Sequence, residues 1–207
     1  MRKTGNKTFF FHSTITCVAI IFLLIPCRVN AVDQSFVTPV RNGLGLSLGM
    51  PIAMGPWSQF STVGFSIALD ITRNPFALNP YISAGLLVSH LYMPATTVLD
   101  NGVSVKLKTA ANPAIAYALF RFPKMGNFQI NMGAGSGITW VRMDITGKLD
   151  ASFSSFDFTA MGRIGLSWAA FKNRPGILLT LNFDYFHIFE TIDGQILDIR
   201  LGALWAY

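Results

Sequence analysis

Past Ala31 the chain has no cysteine, no long apolar run and few charges. Cys17 and Cys27 both precede that point, so disulfides and thiolate metal sites are excluded from the remainder. No stretch approaches the roughly 20 apolar residues that a membrane helix needs. Arg2, Lys3, Lys7 and Arg28 lie in the first 31 residues, so without them the formal charge of +6 falls to +2. A nucleic-acid partner therefore finds no basic surface to expect. No His or Cys spacing suits zinc, and Gly133–Gly137 lacks the lysine of a phosphate-binding loop. No cofactor is expected.

What is present begins with a basic head, an apolar run at Ile15–Pro26, and Val29 and Ala31 ahead of Val32. That order reads as a secretory signal peptide over residues 1–31, cleaved before Val32. Residues 32–207 are enough for one domain, and 51% of the whole chain is hydrophobic. Apolar content without apolar runs means that the apolar residues alternate along strands. The last stretch shows it most clearly. Leu197, Ile199, Leu201, Ala203, Trp205 and Tyr207 alternate with Asp198, Arg200, Gly202, Leu204 and Ala206.

Seven further strands read the same way: Arg41–Met50, Thr62–Ile71, Pro80–Tyr92, Val103–Leu119, Phe128–Val141, Phe153–Ala169 and Ile177–His187. Leu44, Leu46, Leu48 and Met50 oppose Gly43, Gly45, Ser47 and Gly49 on the first. On the fourth, Pro113 interrupts the run, and the odd-numbered Ile115, Tyr117 and Leu119 form the expected outer face. Pro51–Ser61, Met93–Gly102, Arg142–Ser152 and Phe189–Gln195 read as loops, longer or more polar than the connections between them. Long loops on one side and short turns on the other are the pattern of barrels in an outer membrane.

The charges within the strands fall on one face. Asp70, Asp157, Arg163, Asp184, Asp198 and Arg200 all lie on the small, polar side. A basic residue on a lipid face at mid-bilayer costs about 2–4 kcal/mol, so these six, with Lys106, are expected to pair inside the barrel. Trp140, Trp168, Trp205, Tyr207, Tyr185 and Phe128 sit near strand ends on the apolar face, where interfacial aromatics belong. His90 and His187 lie toward the same end of their strands. Ser89 and His90 point to opposite faces, so a serine–histidine–acid site with Glu190 is not expected.

With the signal peptide, the segments Asn79-Pro80-Tyr81-Ile82-Ser83-Ala84-Gly85 and Met132-Gly133-Ala134-Gly135 and the tail Leu201–Tyr207 give the chain a resemblance. It resembles the small eight-stranded outer-membrane barrels of the OmpA-transmembrane, OmpX and OmpW type. The resemblance implies an all-β, antiparallel up-and-down transmembrane barrel in the outer membrane of a diderm bacterium, with both termini periplasmic. It implies outer-membrane lipids as partners, and the barrel-assembly machinery and periplasmic chaperones during biogenesis. Leu201, Ala203, Trp205 and Tyr207 match the C-terminal assembly signal, with Tyr207 where phenylalanine is usual. Two roles follow from it. One is a structural or surface-interaction barrel whose loops meet a host molecule. The other resembles OmpW, a narrow path for small hydrophobic compounds lined by Leu87, Leu178, Phe186 and Leu204. A lipid-modifying barrel enzyme is a third, more distant reading, and the expectation is that the chain is not an enzyme.

Overall fold

The computed structural model describes residues 42–59, 61–74, 81–100, 103–147, 150–169, 176–189 and 193–206. Residues 1–31, read above as a signal peptide, and Glu190 and Tyr207 lie outside them. Eight strands run antiparallel, each pairing with the next: β1 (Asn42–Met54), β2 (Phe65–Arg73), β3 (Ile82–Asp100), β4 (Val103–Arg121), β5 (Phe128–Thr146), β6 (Ala151–Trp168), β7 (Ile177–Phe189) and β8 (Gly194–Ala206). β8 pairs back onto β1, Gly43 against Ala206 through Met54 against Gln195, and closes the barrel. A closed sheet leaves no unpaired edge. Following partners once round from Gly45 leads through Asp70, Leu87, Ile115, Gly137, Thr159 and Ile188 to Gly194. That path arrives beside Met54, at the opposite end of β1 from where it began. This stagger is what tilts the strands about the barrel axis.

Asn42 and Ala206 lie at one end, here the near end, together with the β2–β3, β4–β5 and β6–β7 connections. The other four connections lie at the far end. Among the described residues, no helix is long and apolar enough to cross a membrane. The strands instead carry an apolar outer surface: Leu44, Leu46 and Leu48 of β1, Ile67, Leu69 and Ile71 of β2, Leu86 and Val88 of β3, and Ile164 and Leu201 of β6 and β8 are all exposed. Phe128 stacks on Trp168, with ring centroids 5.9 Å apart, and Trp205 is also exposed at the near end. Trp140, Tyr185 and Phe158 are exposed toward the far end.

Four expectations change. First, β4 faces the other way. Ile115, Tyr117 and Leu119 are buried inside, and Ala114, Ala116 and Ala118 face out. Partners across a sheet share a face, and Tyr117 pairs with Gly85 and Gly135, both inside. An eight-stranded interior must be filled by its own side chains. Gly85 of β3 and Gly133, Gly135 and Gly137 of β5 leave room that the bulky residues of β4 occupy. Secondly, Lys106 therefore points outward and is exposed, away from the interior charges.

Thirdly, the expected loops Met93–Gly102 and Arg142–Ser152 are mostly strand. β3 to β5 each run 19 residues and β6 runs 18, against 9 to 13 for the others. Beyond the apolar surface both faces of a strand meet water, so a paired hairpin there needs no apolar alternation. β3 carries a register shift between Met93 and Thr96, at Pro94, where a bulge tolerates a missing donor. Only Asn101 and Gly102 separate β3 from β4, so the expected alternation of long and short connections is absent on that side.

Fourthly, neither Pro51 nor Pro113 ends a strand. The Pro51 carbonyl accepts from Gly64 N at 2.8 Å, so its missing N–H lies on the side where regular β1–β2 pairing has already stopped at Gly49. β4 pairs with β5 straight through Pro113, while its register with β3 skips Ser89 and His90. His90 Nδ1 and Asn112 Oδ1, 2.7 Å apart, bridge that gap with side chains.

A Cβ at Gly85 would overlap the Tyr117 ring, whereas one at Gly162, on the outer face, would meet nothing within 4 Å. Gly85→Val is expected to destabilise the barrel by about 1–3 kcal/mol through overpacking, and Gly162→Ala to leave it unchanged. Urea unfolding of the refolded barrel in lipid measures both; equal effects would return Tyr117 to the outside.

Candidate functional site

Among the described residues, interior side chains fall into three zones along the axis. Toward the far end lies an apolar core of Leu87, Leu91, Met93, Ile115, Phe186, Ile188 and Ile196. A 3-10 turn, Gly55–Gln59, brings Trp57 over it, and that indole is 2% exposed. The turn is held by Ser61 N donating to Trp57 O at 2.9 Å and by Ser61 Oγ donating to Thr109 Oγ1 at 3.1 Å. Gly194 lies flat against the indole, where a Cβ would come within 2.5 Å of it.

Beneath that core is a layer of charge. Alternation turns each of its members inward, and cross-strand register decides who meets whom. Arg163 pairs directly across from Asp184, and Asp184 from Asp198. Two aspartates side by side repel unless a cation stands between them. Arg163 Nε and Nη2 donate to the two Asp184 oxygens at 2.7 and 3.2 Å. Arg163 Nη1 donates to Asp70 Oδ2 at 2.5 Å. Arg200 Nη2 donates to Asp184 from the other side, and its Nη1 to Ser47 Oγ at 3.2 Å. Arg200 Nε stands 3.5 Å from Asp198 Oδ2, an ion contact, and Ser66 Oγ donates to Asp198 Oδ1 at 2.8 Å. Gly49 makes room for this: a Cβ there would run into Arg200, Ser66 and Asp198.

Asp70, Arg163, Asp184, Asp198 and Arg200 are thus brought together. Asp157 is not. It faces inward on β6 but lies beyond the level where β7 pairs closely, and it accepts from Ser155 instead. Two members were absent from the expected set because β4 was read with the wrong face inward. The Tyr117 hydroxyl donates to Asp70, and its ring lies 4.6 Å beneath the Arg163 guanidinium. Arg121, 4% exposed, faces the same interior two turns of the alternation nearer the near end. The signal was in the sequence: Arg121 shares the parity of Tyr117. With it, three aspartates (Asp70, Asp184, Asp198) balance three arginines (Arg121, Arg163, Arg200). A buried ion costs several kcal/mol of desolvation, which only close pairing and hydrogen bonds offset.

Below the charges is a polar cavity of about 40 Å³, bordered by Thr72, Arg121, Gln129, Asn131, Thr180 and Asn182. At about 10–15 Å³ of such room per water molecule, it holds roughly three waters. Leu178 and Leu204 border it, while Leu87 and Phe186 are packed into the apolar core. Ser89 is buried inside and His90 is exposed outside, and His187 lies on β7 across the barrel. Among the described residues no group of His, Cys, Asp or Glu is placed to hold a metal ion. Leu201, Ala203 and Trp205 of the tail face outward.

No protein-family model and no curated protein sequence matches the chain. Solved structures do. Neisserial surface protein A superposes with a TM-score of 0.55 at 15% identity, covering 80% of this chain and 97% of that one. A major outer membrane protein from Thermus thermophilus gives 0.56 at 11% identity, over 80% and 99%. Ail, the attachment invasion locus protein of Yersinia pestis, gives 0.50 at 12%, over 81% and 99%. At these identities what is shared is the fold, that of small outer-membrane β-barrels.

Removing one partner from a buried ion set leaves the others uncompensated, at about 3–5 kcal/mol. Arg200→Met is expected to lose that much in urea unfolding. Arg200→Met with Asp184→Asn is expected to lose less than the two single changes added together. Simple additivity would mean that the two side chains do not interact.

Proposed function

We propose that the protein is an integral outer-membrane barrel with a filled interior, and that its far end projects from the cell as a structural or interaction surface. One observation carries this reading: the polarity of the molecule is inverted. Leucine, isoleucine, valine and aromatic side chains cover the outside, while three aspartates, three arginines and a tyrosine are packed within. A water-soluble barrel would place these the other way round. The shared fold supports an outer membrane in particular.

The tall wall of β3 to β6 supports the far end as the working surface, since it extends well beyond the apolar exterior. With the far end outside, both ends of the barrel chain fall in the periplasm, where Leu201, Ala203, Trp205 and Tyr207 serve as the assembly signal. The filled interior favours a scaffold over a conduit for small hydrophobic compounds. Leu87 and Phe186 are packed against each other's neighbours, and room for three waters does not admit an organic molecule. Nothing in the placement of Ser89, His90 and His187 favours an enzyme.

In planar bilayers the purified protein is expected to show no steady conductance; stable open-channel currents would favour the conduit. Asn101→Cys, in a chain otherwise free of cysteine after Ala31, is expected to react with an impermeant maleimide on intact cells. Labelling only after the outer membrane is opened would reverse the orientation.

A further inference from the structure

Charge on the outer surface is not spread evenly at the far end. Among the described residues, the outward-facing cations there are confined to β4 and β5. Lys106 and Lys108 alternate on the outer face of β4, and both are exposed. Arg142 lies next to them on β5, across from Ala110. One anion sits among them: Asp144, across from Lys108, accepts from Ser152 at 2.7 Å and from Arg142 at 3.0 Å. Those two donors hold its carboxyl below the usual range. The patch therefore keeps a net positive charge.

Its height is what gives it meaning. Immediately toward the near end come the hydrogen-bonded pair His90 and Asn112, and Trp140, whose carbonyl accepts from Asn112 Nδ2 at 3.4 Å. The Lys108 ammonium lies 5.2 Å from the centre of the Tyr92 ring, so its stem lies along the apolar edge while its charge faces water. Below Asn112 the outer face of β4 turns apolar and shallow, with Ala114 between Val88 and Ile138, then Ala116 beside Leu86, then Ala118. Phe120, flanked by Ile82 and Met132, closes it. Six residues from Asn112 to Ala118, at about 3.3 Å each on a strand tilted about 40°, descend roughly 15 Å, one leaflet of a hydrocarbon core about 30 Å thick. Cations, a polar neck and an apolar floor are stacked in the order in which a bilayer stacks phosphate, ester or amide linkage, and acyl chain.

We propose that the outer face of β4 and β5 binds a phosphate-bearing lipid of the far-end leaflet, with Lys106, Lys108 and Arg142 on the phosphate and the alanine floor beneath its acyl chain. This rests on the membrane reading above but not on which way the barrel points. Each basic residue near an anionic surface contributes about five-fold in affinity at low salt, so three contribute about a hundred-fold.

The test uses the protein in phosphatidylcholine nanodiscs, titrated with bisphosphorylated lipid A and followed by native mass spectrometry. Lipid A is expected to bind saturably. The triple change K106Q/K108Q/R142Q is expected to weaken it about a hundred-fold, and K106R/K108R to retain it. R73Q/K124Q, at the near end, is expected to leave it unaltered. The heat-sensitive gel mobility of a closed barrel checks that each variant is folded. Equal binding by the triple variant, an equal loss in R73Q/K124Q, undiminished binding of dephosphorylated lipid A, or competition by inorganic phosphate at matching concentration would each overturn the proposal. If Asn101→Cys labels from the periplasm while lipid A binds as expected, the orientation fails and the site stands.

Discussion

The structure depends on the pairing of buried aspartates with buried arginines across the middle of the barrel. Closing eight strands leaves an interior only as wide as the side chains that fill it. Apolar residues are needed on the outside, so the inward positions of β2, β6, β7 and β8 carry what is left: Asp70, Arg163, Asp184, Asp198 and Arg200. None of these can face lipid cheaply, and none can sit inside alone. Arg163 joins β6 to β2 and β7, and Arg200 joins β8 to β7 and β1. The layer thus ties opposite walls together where backbone pairing ties only neighbours.

The remaining interior follows from what this layer requires. Ions held away from water need their surroundings dry on one side, and the apolar core under Trp57 supplies that. On the other side Arg121, Asn131 and Gln129 border the polar cavity. Small residues allow the large ones to fit: Gly49 yields space to Arg200, and Gly85 to Tyr117. The same logic explains why β4, between Gly85 of β3 and Gly133, Gly135 and Gly137 of β5, is bulky inside at Ile115, Tyr117 and Leu119 and carries alanine outside at Ala114, Ala116 and Ala118.

Most of this architecture was legible in the residues. Alternation on β1, β2, β3, β5, β6, β7 and β8 assigns the two faces as the structure has them. It misled on β4 because bulk was equated with the lipid side. On that strand the odd-numbered Ile115, Tyr117 and Leu119 look like a lipid face, and only the glycines of its neighbours show that they are needed inside. Pairing register, which one strand's sequence does not contain, settles it. Polar composition misled in a different way at Met93–Gly102 and Arg142–Ser152. There a hairpin continues in water, where the chemical contrast that marks a strand in lipid disappears. The charged layer was legible as a set of same-face residues, but Tyr117 and Arg121 were hidden by the error on β4, and Asp157 was included because parity says nothing of height.

Everything turns on one division, that neighbouring residues of a single strand touch two different media. Methyl and amide resonances of β4 in nanodiscs carrying a doxyl-labelled lipid measure it most directly. Ala114, Ala116 and Ala118 should be broadened strongly and Ile115, Tyr117 and Leu119 spared, with a water-soluble paramagnet reaching neither set. Broadening of the odd-numbered residues in place of the alanines, or relaxation of the alanines by the aqueous probe alone, would contradict it.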